Sequence, residues 1–154
     1  MKKISLLSLL FLLVTIGKTF AGSFTILNLI PCSFQVYTGT GTITDPATGT
    51  AYPFTFGPMT IAPGNSSFAN PALLPGFSSS APAGLQTAGC ASAIAGRGPS
   101  GIDPTPVSAN FALTNTVPYN VFTSTNAPTC NSGVNYQMSW NAGASGCDVI
   151  LLIF

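Results

Sequence analysis

Val134-Asn135-Tyr136-Gln137-Met138-Ser139-Trp140 is the stretch that decides the fold. Apolar Val134, Tyr136, Met138 and Trp140 alternate with Asn135, Gln137 and Ser139, the period of a strand with one side in a core and the other in water. A Gly-rich turn over residues 141–146 follows, and residues 147–154 form an almost wholly apolar segment. The two segments predict a hairpin, its second strand lying inside a sheet because both its sides are apolar.

Outward from this hairpin the same chemistry recurs. Residues 23–30 are β-branched and aromatic with apolar groups on both sides, and Pro31-Cys32 ends them. Residues 33–37 set Phe34 and Val36 against Gln35 and Tyr37, and residues 51–56 carry Phe54 and Phe56 on one side. Asp45-Pro46 and Thr48-Gly49 between them supply turn chemistry. Further short strands are expected over residues 59–61, from Ser67, and over residues 111–114 and 118–123. Gly and Pro interrupt the chain throughout and Glu is absent, so helix formers are scarce. The expected fold is all-β: a two-sheet antiparallel β-sandwich, Ig-like or jelly-roll-like, of about seven short strands. Residues 69–110 break the pattern; Pro, Gly, Ser and Ala dominate, and the expectation is a long irregular loop pinned in its middle by Cys90.

Lys2 and Lys3, an apolar run over residues 4–16, and Thr19-Phe20-Ala21 have the order of a secretory signal peptide. The run is too short to span a bilayer before Lys18 interrupts it. Residues 1–21 are therefore expected to be removed, leaving residues 22–154 as one exported domain that does not span a membrane. Its place is outside the cell or on its surface, or the periplasm in a Gram-negative bacterium.

Removing that leader takes three of the four cations and moves the formal charge from +1 to −2. Asp45, Asp103, Asp148 and Arg97 are then the only charged side chains, and the chain has no His. One Arg cannot track a phosphate backbone, which excludes nucleic acid as a partner. General acid–base and nucleophilic catalysis both need titratable partners that this chain lacks, so it reads as a non-enzyme with no cofactor or metal. Asp45 and Asp103 each precede Pro and read as turn starters, far apart in sequence from Asp148.

Cys32, Cys90, Cys130 and Cys147 form an even set without C-x-x-C spacing, which predicts two disulfides. In the hairpin above, Cys147 lies at the turn and Cys130 at the far end, about 30 Å away, too far for a bridge. If the first and last strands pair antiparallel, Cys32 meets Cys147 and leaves Cys90 for Cys130. That is the pairing expected from the sequence.

The candidate contact residues are few. Arg97, in Gly96-Arg97-Gly98, could grip a carboxylate or stack on a ring. Thr38, Thr40, Thr42 and Thr44 recur at period two and would line one face of a strand, with Thr40 and Thr42 at its centre; such hydroxyls suit ice, a glycan or another subunit. Trp140 and Tyr119 carry rings that stack on sugars if they face outward, although the alternation around Trp140 directs it and Tyr136 to the core. Residues 24–30 and 149–154 are apolar on both sides. A disulfide-bearing, charge-poor sandwich with such terminal strands loosely resembles chaperone–usher pilins. The resemblance implies strand exchange between subunits, but Cys32 follows the cleavage site too closely for a long donor extension. The function expected is thus a structural or cell-surface protein that self-associates as a filament, matrix or adhesin-like subunit. The alternative is a small secreted module that binds an extracellular glycan.

Overall fold

The computed structural model describes residues 22–100, 109–143 and 146–154. The predicted leader and Asp103 lie outside them. Eleven strands run through the described residues: β1 (Phe24–Asn28), β2 (Phe34–Thr44), β3 (Ala51–Phe56), β4 (Met59–Ile61), β5 (Gly64–Phe68), β6 (Ser78–Ser79), β7 (Gly89–Arg97), β8 (Asn110–Thr114), β9 (Val121–Thr123), β10 (Gln137–Ala142) and β11 (Val149–Ile153). One sheet has the order β5-β1-β11-β10-β9 and the other β6-β3-β2-β7-β8, with β4 following β3 along the same side of β2. The protein is all-β, in two mostly antiparallel sheets.

The alternating residues put their apolar members between the sheets. Phe24, Met138, Trp140, Leu151 and Ile153 come from one side; Phe34, Val36, Phe54, Phe56, Ile94 and Leu113 come from the other. Aromatic edges join the layers: Phe24 meets Phe56 at 5.8 Å, and Phe34 meets Tyr136 at 5.0 Å, both edge-to-face. The expected hairpin is present as β10 and β11, with Trp140 opposite Leu151. Val134 departs from its alternation. It precedes the strand and is exposed.

Strand β2 is twice as long as its apolar residues suggest, because Gly39 and Gly41 continue it inward where Phe56 and Phe54 lie against the backbone. A Cβ at either glycine would collide with those rings, so the strand is specified by its neighbours' size. The turn from β2 to β3 forms as its residues predict: Asp45 Oδ1 accepts from Ala47 N at 2.8 Å, and Gly49 N donates to Asp45 O at 2.8 Å. Buried Asn28 holds the turn after β1, donating from Nδ2 to Cys32 O at 2.7 Å.

Three expectations are corrected. The segment 69–110 is not one irregular loop: it contains β6, two 3-10 turns and β7, a nine-residue strand between β2 and β8. Its residues 101–108 lie outside the described part. The first and last strands pair in parallel, Phe24 opposite Val149 and Asn28 opposite Ile153. That direction undoes the expected disulfides, since it places Cys147 beside the start of β1 while Cys32 lies past its other end. The bridges are Cys32–Cys130, with Cα atoms 5.4 Å apart, and Cys90–Cys147, at 4.6 Å. The second one ties β7 of one sheet to the approach of β11 in the other. Two disulfides fit an oxidising compartment. Among the described residues no helix is long and apolar enough to cross a membrane.

Candidate functional site

Among the described residues only Asp45, Arg97 and Asp148 carry charged side chains. Asp45 belongs to the β2–β3 turn, where the Ala47 N–H and then the Thr48 hydroxyl hold its carboxyl below the ordinary value. Asp148 Oδ1 accepts from Ser23 N at 2.8 Å and from Ser23 Oγ at 2.7 Å, fastening the start of β1 to the start of β11. Both carboxylates serve the fold. Among the described residues no three His, Cys, Asp or Glu side chains come together as metal ligands.

Of the residues singled out in the sequence as contacts, Trp140 is corrected. It is buried to 3 % exposure and packs edge-on to Phe24 at 5.6 Å, so it offers nothing to a ligand. Tyr119 is exposed, in the connection between β8 and β9, where its carbonyl accepts from Thr114 N. Arg97, Thr40 and Thr42 are brought onto one surface, the outer face of the six-stranded sheet.

That face is built from short side chains in register. Thr40 of β2 lies between Thr55 of β3 and Ala93 of β7, and Ala93 is opposite Thr114 of β8. The next row runs Thr38, Ala95, Ala112. Alanine on the middle strand beside threonine on its neighbour leaves an open trough of about 180 Å³ along β2, β7 and β8, apolar on its floor. Past one end comes a polar row, Gln35, Arg97 and Asn110, with the Gln35 amide oriented by Thr60 at 3.0 Å. A register shift between Val36 and Thr38 interrupts the alternation there, so that Tyr37 and Thr38 are exposed in succession, Tyr37 to 55 %. The sequence signal for the trough, Ala93 and Ala95 at period two, is hidden in the Gly/Ala/Ser background of residues 69–110. Tyr37 and Gln35 were visible as the outward residues of their strand.

The outer face of the five-stranded sheet has different chemistry. Leu27 of β1 is opposite Leu152 of β11, and Thr25 is opposite Ile150. Leu29 and Phe154 continue the two strands at one end, and Leu29, Ile150 and Phe154 are all more than 40 % exposed. The rim is neutral and polar: Ser67 meets Thr25 at 3.1 Å, and Asn141 lies opposite Ile150. None of the five strands of this sheet carries a charged residue. Both strands at its centre are paired on both edges, β1 by β5 and β11, and β11 by β1 and β10. Comparisons with protein-family models, with curated proteins and with solved structures find no match for this chain.

Proposed function

We propose that the protein is a non-enzymatic, exported structural or cell-surface subunit, adhesin-like or matrix-forming, that associates with copies of itself. The observation that carries this reading is the uncharged apolar stripe of Leu27, Leu29, Ile150, Leu152 and Phe154 on the outer face of the five-stranded sheet. Exposed apolar side chains are ordinary when scattered, but a contiguous set on two neighbouring strands is what protein contacts are made of. With almost no charge in residues 22–154, little electrostatic repulsion opposes the approach of a second copy.

The mode of association differs from the strand exchange that the terminal segments suggest in the sequence. Strand exchange needs an unpaired edge, and β1 and β11 have none. Face-to-face packing of two outer sheets uses the same apolar residues without unpairing a strand.

Sedimentation of the leader-free protein across a concentration series tests this. The expected outcome is reversible assembly, weakened at least about 100-fold, or roughly 2.7 kcal/mol, by Leu29→Asp combined with Ile150→Asp. A wild-type protein that stays monomeric at high concentration overturns the reading.

A further inference from the structure

We infer that the trough on the outer face of the six-stranded sheet binds a segment of a neutral polysaccharide chain, with the Tyr37 ring as its stacking platform. This surface is separate from the apolar stripe, and the inference does not depend on self-association. Four features of this face converge on it.

The first is size. At about 180 Å³ and open to solvent, the trough is smaller than the roughly 300 Å³ at which pockets begin to enclose a whole small ligand. It suits one stretch of a molecule that continues past both ends. The second is lining. The methyl groups of Ala93, Ala95 and Ala112 make an apolar floor, which matches the C–H face of a pyranose ring and offers nothing to an ion. The third is the rim. Thr38 and Thr40 form one wall, while Gln35, Arg97 and Asn110 form a polar row past the end, the donors and acceptors that a sugar's equatorial hydroxyls require. The fourth is the bulge at Tyr37, which leaves this amphipathic residue, two positions from Gln35 and one from Thr38 on β2, more than half exposed.

Charge decides between ligand classes. A face with a single guanidinium and no carboxylate on its strands favours a neutral ligand, since a polyanion would need more than one cation. Regularity decides between a chain and a crystal surface. Ice would be met by a flat, repeating array, and this one is concave and broken by two register shifts, at Val36/Thr38 and at Thr40/Gly41.

The experiment is calorimetric titration of the leader-free protein with three hexaoses: β-1,4-linked glucose, β-1,4-linked N-acetylglucosamine and α-1,4-linked glucose. At least one should bind. Ala95→Leu, which fills the trough from the solvent side, and Tyr37→Ala, which removes the ring, should each weaken that binding at least tenfold while the thermal midpoint stays at the wild-type value. Leu29→Asp with Ile150→Asp should leave sugar binding intact, so failure of one reading is distinguishable from failure of the other. The inference is overturned if no hexaose binds at millimolar concentration, or if binding survives Ala95→Leu and Tyr37→Ala. It is equally overturned if Ala95→Leu alters the oligomeric state instead of sugar binding, or if the wild-type protein facets growing ice.

Discussion

The two outer faces of this sandwich share an architecture and a lack of charge, yet one is surfaced with Leu, Ile and Phe and the other with Thr and Ala. Folding requires only that the inner sides be apolar; it leaves the outer sides free. The Thr/Ala face is what a wetted sheet of good β-propensity looks like, apart from its trough and the ring of Tyr37. Leu29 and Ile150, by contrast, lose hydrophobic free energy by standing in water, and it is on this contrast between the faces that the proposed self-association rests.

The strongest way to break the comparison is to separate the sheets that carry the faces. Cys90→Ser with Cys147→Ser opens a bridge spanning 57 residues between them, and should lower unfolding free energy by about 4 kcal/mol, measured by denaturant titration. Next in size is a contrast within β2. Gly41→Val drives a side chain into the Phe54 ring and the Cys90 carbonyl and should cost about 1–3 kcal/mol, whereas Thr42→Val, one residue on and facing water, should change stability by less than about 0.5 kcal/mol. Equal effects would mean that β2 does not have the two sides assigned to it.

The smallest effect tests the interior that both faces share. Burial pushes the Tyr136 hydroxyl up to about 12 from its ordinary 10.0. The unfolded chain therefore loses that proton first, and stability, unaffected below pH 10, should fall as the pH rises from there towards 12. Tyr136→Phe should flatten that part of the profile. A profile unchanged by the substitution would show that the ring is not buried.

Much of the fold was legible because period-two alternation survives wherever large residues take turns with polar ones. Ala51–Phe56, Met59–Ile61 and the β10–β11 hairpin all follow from it. Strand β7 was not legible, since Gly89, Ala91, Ala93, Ala95 and Gly96 have too little side chain to show a period; the two glycines have no side chain because β2 and the rings of Phe54 and Phe111 lie against them. Strand direction was not legible either. The residues of β1 and β11 read the same whether they run together or opposed, and the disulfide pairing turned on that choice. Of the site, Thr40 and Thr42 share a strand face as their spacing suggested and Trp140 followed its alternation inward, whereas Arg97, expected in an irregular loop, stands at the end of β7 opposite Gln35.

The parallel pairing of β1 with β11 has a bearing on how the molecule comes into being. One flank of β1 is covered within some forty residues by β5, but the other waits for a strand 125 residues further along, as the contact of Ser23 with Asp148 measures. Such distant closure makes for slow acquisition of structure. While it is pending, one edge of the first strand stays unpaired, open to a neighbouring chain or to any chaperone that reads naked β-edges.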